Sequence, residues 1–444
     1  MNFKIVFVFL SFVSLGRIGA QVKDSVFLPF AISHEKRLSD EDLKNKKEGA
    51  YITGVPDISS DPVNGFGYGG EGSVFFNGKR SDPFFAYTAY RAELNITAFN
   101  TTRNQRELML KMDIPYVFNT KWRLRLEAGY ESNPNLLYFG NTEKSLGGLS
   151  YFPNNDSAAA PLTNVAYSDY EKNGLTGNNT FYNTYIKKEF ILNVSGERSY
   201  FDGKLRALIG YEIASVDITT FPGNSDLQSD FEQKKILGVG KNLVGILQTG
   251  LIYDTRDLET DPSQGIFAEL TNELSLKALG SAYNFNKTFF HFNFYQNLIS
   301  KKTKALVLAA RIAAGYTDGA APFFEYQDQW SSEGSIEGLG GAFTLRGYKQ
   351  SRFMSRVMTF NNLELRWRFA QADLLKQHFA FSGVPFVDAG GVWDDLSRVG
   401  NFNNYRVSEG LGLRIAWNVN TILRFDYAIS KEDRQFFFNL SHAF

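Results

Sequence analysis

Apolar and charged residues alternate one by one along residues 121–131. Successive side chains of a β-strand point to opposite faces, so this pattern predicts a strand with one apolar and one heavily charged face. The apolar positions are Trp122, Leu124, Leu126, Ala128 and Tyr130, and the charged ones are Lys121, Arg123, Arg125, Glu127 and Glu131. Comparable alternation recurs along the chain as far as its last residues.

Sixteen segments are predicted as strands from this pattern, an even number that fits bacterial single-chain barrels. Their ranges are 50–58, 66–78, 84–99, 106–117, 120–132, 180–194, 204–218, 242–254, 265–278, 284–299, 304–317, 356–369, 378–389, 406–417, 421–430 and 434–444. The connections 132–179, 219–241 and 318–355 between them are long, whereas 300–303 and 419–420 are tight turns.

Two all-β architectures fit the alternation. A soluble sandwich buries the apolar face against a second sheet, whereas a membrane barrel exposes it to lipid. Strands of about ten residues or more, aromatic residues near strand ends, and short turns alternating with long loops favour the barrel. We therefore predict that residues 50–444 form a 16-stranded antiparallel transmembrane β-barrel, which must close because lipid tolerates no open strand edge.

The N-terminal residues predict export. Residues 1–20 combine Lys4, a short apolar run and a small-residue cleavage point at Gly19-Ala20, as in a signal peptide. Residues 21–49 are polar and predict a short periplasmic or lumenal tail, with a helix that Ser39 caps.

Composition excludes several other classes of protein. The chain has 47 basic and 47 acidic residues, which gives no electrostatic argument for a nucleic-acid partner. It has no cysteine, and its four histidines have no ligand-like spacing, so we predict neither a metal site nor a cofactor. No nucleophile motif or phosphate-binding loop indicates an enzyme or a small-molecule substrate.

The loop before the twelfth predicted strand is rich in glycine and contains GGAFTLRGY, residues 340–348. Glycine allows close backbone approach, and an arginine between apolar residues needs an acidic partner if it is buried. This composition predicts a long loop that folds back into the barrel and docks there.

The first and last predicted strands form the weakest pair. The first contains Gly54 and Pro56, and both residues weaken strand pairing. The last, 434–444, presents Phe436, Phe438, Leu440 and Phe444 on one face. We expect the seam between these strands, which involves Gly54, Pro56, Phe438, Leu440 and Phe444, to be the weakest in the wall, whether or not it has a function.

Three segments together resemble the BamA/TamA superfamily of outer-membrane barrels, also called bacterial surface antigens. They are Leu345-Arg346-Gly347-Tyr348, PFVDAGGVW at 385–393, and GLIYDTRDLETDPSQG at 250–265. The resemblance implies that the loop tip reaches the lumen, where Arg346 pairs with Asp388 and Glu364 on the wall. Too few residues precede the first predicted strand for a POTRA domain, so the chain resembles a barrel-only member.

The resemblance implies a protein of the bacterial outer membrane, surrounded by its lipid. The first hypothesis is an assembly or translocation barrel that works with a separate periplasmic or outer-membrane partner. The second is a scaffold subunit that recruits other outer-membrane proteins through its loops and tail. A passive channel is a third alternative. It is the least favoured, because the loop before the twelfth predicted strand should fold into the lumen and block it.

Overall fold

The computed structural model describes residues 27–61, 64–151, 162–175, 182–221, 225–299 and 305–444. The predicted signal peptide, residues 1–20, the first residues of the predicted tail and the predicted turn at 300–303 lie outside these ranges.

Sixteen strands form one sheet in chain order, and every neighbouring pair is antiparallel. This confirms the predicted number and direction of the strands. They are β1 (Ala50–Asp61), β2 (Gly65–Phe76), β3 (Ala92–Thr101), β4 (Arg106–Ile114), β5 (Trp122–Leu137), β6 (Thr184–Tyr200), β7 (Leu205–Thr219), β8 (Gly240–Asp254), β9 (Gly265–Ser275), β10 (Phe285–Asn297), β11 (Leu306–Gly319), β12 (Val357–Leu374), β13 (Gln377–Trp393), β14 (Arg406–Trp417), β15 (Thr421–Ser430) and β16 (Arg434–Asn439).

The two faces of the sheet have opposite chemistry. One face exposes large apolar side chains, among them Leu108, Ile209, Leu251, Leu270, Ile312, Leu363 and Leu411. The other face is covered, and it holds buried charged residues such as Arg206, Glu212, Glu269, Lys287, Arg311, Glu364 and Asp426. Leu411 is 67% exposed whereas Asp426 is fully buried, the reverse of the arrangement in a soluble sandwich.

The two ends of the sheet differ in their connections. We call the end that carries connections such as 375–376 and 418–420 the turn end, and the opposite end the loop end. The loop end carries the long connections 138–183, 220–239 and 320–356.

The helices lie outside the sheet. They are α1 (Asp40–Asn45), α2 (Tyr167–Asp169), which a π-helical turn at Tyr170–Leu175 continues, and α3 (Asp226–Glu232). A small hairpin pairs Asp328–Gln329 with Ile336–Glu337 in the loop before β12. Turns of 3-10 helix occur at His34–Lys36, Val117–Asn119, Thr142–Leu146, Phe201–Gly203, Lys277–Leu279, Phe323–Gln327, Leu396–Arg398 and Phe402–Asn404. No helix in the described part of the chain is long and apolar enough to span a membrane.

Two predicted strands are partly wrong. The third was expected to begin at residue 84, but residues 77–91 form an irregular connection in which Phe84 stacks on Tyr116 with ring centroids 4.7 Å apart. Phe84 therefore packs against aromatic rings, those of Phe30 and Tyr116, instead of entering the sheet. The alternation that we extended back into residues 84–91 begins only at β3.

The last predicted strand, 434–444, is also too long. β16 ends at Asn439, so Leu440 and Phe444 lie beyond it and not on its face as expected. Residues 442–444 turn to the covered face, where Arg311 donates to the Ala443 carbonyl oxygen and Arg366 to that of Phe444. Buried guanidinium groups require acceptors, and these carbonyl groups supply them.

Candidate functional site

Arg346, in the loop before β12, lies among three carboxylates of the covered face. Its Nε and Nη2 donate to the two oxygens of Asp388 at 2.9 and 2.7 Å, a bidentate arrangement. Its Nη1 donates to Glu364 Oε1 at 2.7 Å and to Asp426 Oδ2 at 3.2 Å. All four side chains are fully buried, so each charge depends on the others for its stability.

Additional contacts fix the orientation of this arginine. The Arg346 backbone N–H donates to Asp388 Oδ2 at 3.1 Å, and its guanidinium carbon lies 3.4 Å from the centroid of the Phe386 ring. The Asn362 side-chain amide donates to Asp388 and to the Thr344 carbonyl oxygen. Backbone, amide and ring contacts therefore hold the loop to β12 and β13.

The other residues of the predicted loop tip, Leu345, Gly347 and Tyr348, lie at the same surface. Leu345 is fully buried, and the Tyr348 ring packs edge-on against that of Phe353 at 5.1 Å. A Cβ on Gly347 would come within 2.7 Å of the Ile429 backbone and of Ser408 Cβ. Only glycine fits so close to β14 and β15.

Sequence reasoning missed two members of the site. Arg414 of β14 donates to Asp426 Oδ1 at 2.6 Å and to Glu364 Oε1 at 3.2 Å, so it links the carboxylates that also bind Arg346. The strand alternation placed Arg414 and Asp426 on the charged face. Nothing in one sequence indicated which charged residues of that face meet the loop tip.

At the loop end, Arg352 joins three segments. It donates to the Glu432 carboxylate in the β15–β16 turn with Nε at 2.7 Å, and its Nη2 donates to the Gly147 carbonyl oxygen at 2.7 Å. It also contacts the Ser145 carbonyl oxygen. The connection 138–183 is thereby tied to the loop before β12 and to the turn before β16.

At the turn end, residues 33–47 reach distant parts of the sheet. Lys36 Nζ lies 3.0 Å from Asp254 at the end of β8, and Gln371 of β12 donates to Glu41 at 3.0 Å. Between them, Lys46 Nζ donates to the carbonyl oxygens of Phe85 and Thr88 at 2.6 and 2.7 Å. Burial lowers the pKa of Lys46 to about 7.

The β8–β9 connection, residues 255–264, also crosses this end. Asp261 accepts a hydrogen bond from Arg368 at 3.0 Å and lies 3.1 Å from His442 Nε2, and Asp257 accepts from the backbone N–H groups of Ser263 and Gln264. Burial, with the nearby Arg366, lowers the pKa of His442 to about 4 although Asp261 opposes the shift. The segment that follows β16 is thus anchored to this connection.

The predicted seam residues lie in three different segments of the chain. Gly54 and Pro56 are in β1, where they pair with Gly72 and Gly70 of β2. Phe438 is in β16 opposite Phe425 of β15. As described above, Leu440 and Phe444 lie beyond β16.

Within the described residues, no backbone pairing joins β1 to β15 or β16. β1 and β15 meet through a side-chain hydrogen bond between the Thr53 and Thr421 hydroxyls at 3.1 Å.

Two known protein families match parts of the chain. The Omp85 superfamily domain matches residues 87–444, most of the chain. The chain belongs to the Omp85 superfamily. It is therefore an outer-membrane β-barrel protein. A second family model, described as a domain of unknown function, DUF5982, matches residues 28–91.

Solved structures support the Omp85 fold. BamA from Haemophilus ducreyi lacking POTRA domains 1–3 matches with a TM-score of 0.50 and 16% identity, covering 89% of this chain and 70% of that one. CdiB from Escherichia coli matches with a TM-score of 0.50 and 9% identity, covering 88% of this chain and 60% of that one. At these identities the likeness concerns the fold, a BamA-like barrel. A search of curated proteins found no match.

Proposed function

We propose that this Omp85 barrel assembles or translocates polypeptides at the outer membrane by opening the seam between β1 and the last two strands, β15 and β16. The observation that carries this proposal is that, in the described residues, no backbone pairing joins β1 to β15 or β16, and the Thr53–Thr421 side-chain hydrogen bond connects β1 to β15 instead. A side-chain contact of this kind contributes about 1 kcal/mol, so opening it costs little compared with separating two paired strands.

In this proposal the covered face is the lumen, and the loop before β12 folds into it. The fully buried pairing of Arg346 with Asp388 supports this placement, because Asp388 lies on the charged face of β13. The loop then obstructs the lumen, which argues against a passive channel.

In this proposal, chain segments also cover both ends of the lumen. The contacts of Arg352 tie the connection 138–183 across the loop end, and residues 33–47 extend across the turn end. With both axial routes covered, a lateral route through the wall at β1 is the one that the geometry favours. A separate periplasmic or outer-membrane partner would deliver the client chain.

Depletion of the protein tests this function. Cells that lose it should lose specific folded or exported outer-membrane proteins while the corresponding unfolded chains accumulate in the periplasm. Re-expression of the wild-type chain should reverse both changes. An unchanged outer-membrane protein profile after complete depletion would refute the proposal.

A scaffold role is the second candidate, and the connection 138–183 favours it. This connection has its own buried apolar cluster, which consists of Phe139, Leu149, Tyr151, Tyr170 and Leu175. A loop that packs on itself can present a fixed surface to another protein. Under this reading, crosslinking recovers a stable outer-membrane partner, and deletion of residues 141–174 releases that partner without altering the outer-membrane protein profile.

A further inference from the structure

Three connections at the turn end of the sheet carry large apolar side chains at their tips. The β4–β5 connection presents Phe118, the β6–β7 connection presents Phe201, and the β12–β13 turn presents Leu375. These side chains are 93, 74 and 51% exposed. Scattered apolar residues are common on protein surfaces, so exposure alone does not identify a contact surface.

The backbone conformation of these tips is a second and independent observation. Phe118, Phe201 and Leu375 have φ of 52, 47 and 50°, in the left-handed region that bulky residues rarely adopt. Asparagine adopts this conformation at lower cost, and Asn418 does so in the β14–β15 turn, with φ of 54°. Asn418 is buried, so the turn with the suitable residue is the covered one. At the exposed tips, bulky apolar residues are kept despite the strain, which indicates that their side chains serve a purpose.

The exposed apolar face of the sheet leads directly to the first two tips. Trp122 begins β5 and Tyr200 ends β6, and both rings are exposed within four residues of a tip. Aromatic rings at strand ends mark the boundary between the hydrocarbon and headgroup regions of the membrane. The headgroup region is about 5–8 Å thick and a strand advances about 3.3 Å per residue, so the turns that follow these rings lie at headgroup depth.

The β12–β13 hairpin is apolar along the same face as far as its tip. Phe379 and Phe381 share a face of β13 with the exposed Val387. Directly opposed residues of paired strands share a face, and those opposite the two phenylalanines on β12 are alanines. Leu374 continues this face, and it is exposed next to Leu375. The lipid-facing surface therefore reaches the third tip as well.

We propose that Phe118, Phe201 and Leu375 insert into the periplasm-facing leaflet of the outer membrane, so that a phospholipid surface covers them. In barrels of this kind the short turns face the periplasm. β12 follows β4 by eight strands in a sheet of sixteen, so the tips lie on opposite sides of the barrel. Lipid surrounds a barrel on all sides, whereas one folded protein partner would cover one side. This inference does not depend on the opening of the seam.

Fluorescence quenching by labelled lipid tests the depth of a tip. The chain has no cysteine, so Thr120→Cys, at an exposed residue of the β4–β5 connection, accepts a single dye. The protein is placed in nanodiscs of phosphatidylethanolamine and phosphatidylglycerol, with and without phospholipid that carries a nitroxide at headgroup depth. The nitroxide should quench this dye. A dye on Asp40→Cys, in α1 at the same end of the sheet, is the control and should be quenched less, because α1 lies across that end and not along the lipid face.

The sign of a stability change tests whether the apolar side chain itself is inserted. Phe118→Asn relieves the backbone strain but removes the apolar group, so it should lower the thermal midpoint in nanodiscs by a few degrees if lipid covers the tip. In water the same change should raise the midpoint, because only the relief of strain remains. Lys234→Asn is the matched control, since Lys234 is exposed in the connection 220–239 at the loop end and has φ of 57°. It should not lower the midpoint.

Three results would overturn the proposal. If the dye on Thr120→Cys is quenched no more than the dye on Asp40→Cys, the tip lies in water. If it is quenched but Phe118→Asn leaves the midpoint unchanged or raises it, the strands alone set the depth of the turn. If lipid does not quench the dye and a crosslinker at residue 120 captures a periplasmic protein in cells, the tip binds a protein partner and not lipid.

Discussion

Arg346 and Asp388 lie on separate segments of the chain but form a fully buried bidentate pair, with Nη2 2.7 Å from Oδ1 and Nε 2.9 Å from Oδ2. The pair joins the loop before β12 to β13. If Arg346 is lost, Asp388 retains Asn362 and Ser408 as partners but loses the cation that neutralises it.

Replacement of Arg346 should destabilise the barrel strongly. Arg346→Met leaves the buried Asp388 carboxylate without its cation, which costs about 3–5 kcal/mol in the free energy of unfolding. Thermal unfolding in detergent measures this loss. The double variant Arg346→Met with Asp388→Leu should lose less than the sum of the single changes, because no uncompensated charge remains at that pair. Additive losses would show that the two residues do not act as a pair.

The close approach of Gly347 to β14 and β15 predicts a second effect. Gly347→Ala places a Cβ within 2.7 Å of the Ile429 backbone, so the tip must move and about 1–3 kcal/mol of stability is lost. Gly383→Ala is the matched control, because a Cβ at Gly383 meets no atom within 4 Å. Equal thermal midpoints for the two variants would contradict the tight packing of the tip.

Lys46 predicts a pH effect on the N-terminal segment. Its pKa is about 7 when residues 33–47 are docked and near 10.5 when they are released, so the released form binds more protons between these values. Docking should therefore strengthen as pH rises from about 7 to 10, and the contribution of Lys46 should level off below about pH 7, where both forms are protonated. A dye on Asp40→Cys, the only cysteine in that variant, reports docking through its fluorescence anisotropy.

Lys46→Met serves as the control for this experiment because methionine does not titrate. The anisotropy of the labelled Lys46→Met variant should change less over the same pH range, because only the lowered pKa values of Lys36 and Lys47 remain in the segment. If both labelled proteins respond alike, another group controls the docking of the segment.

His442 predicts that the stability of the protein falls at acidic pH. Its pKa is lowered to about 4 by burial and by Arg366, so the unfolded chain binds more protons between about pH 6.5 and 4. Stability from this group is present at neutral pH and is lost as pH falls through that range, by at most about 3 kcal/mol. The group faces Arg366 and Arg414 as well as Asp261, and the two arginines disfavour its protonation. His442→Gln should flatten this part of the profile of thermal midpoint against pH, and an unchanged slope would contradict the assignment.

The strand pattern was largely readable from the sequence because alternation is a local property. One apolar and one charged face per strand predicted sixteen antiparallel strands, which the fold confirms. Residues 84–91 were wrongly predicted as part of a strand because their apolar side chains pack in the connection before β3, Phe84 against Tyr116 and Tyr90 against Phe75. Residues 440–444 misled it because the buried arginines that draw the segment away from the wall are distant in sequence.

Only part of the site could be predicted, because local sequence patterns do not show which residues of distant segments meet. Arg346 and Asp388 came from motifs that resemble a known family, and Glu364 came from its place on the charged face of the twelfth predicted strand. Asp426 and Arg414 are fixed by the register between β14 and β15 and by the position of the loop tip, which no local pattern encodes. The crossing of the turn end by residues 255–264 likewise depends on contacts with Arg368 and His442, far along the chain.

A disulfide across the seam tests the proposed mechanism most directly. Thr53→Cys with Thr421→Cys places two cysteines where the hydroxyl groups now lie 3.1 Å apart, in a chain that has no other cysteine. The matched control, Thr53→Cys with Ser73→Cys, ties β1 to its existing partner β2 at a directly opposed pair. Both disulfides are verified by a gel shift that reductant reverses.

The measurement is the outer-membrane protein profile of depleted cells that express each variant, with and without reductant. The account predicts that the oxidised Thr53–Thr421 lock reproduces the depletion phenotype, that reductant restores function, and that the Thr53–Ser73 control functions in both states. Full function of a quantitatively oxidised Thr53–Thr421 lock would show that the seam does not need to open.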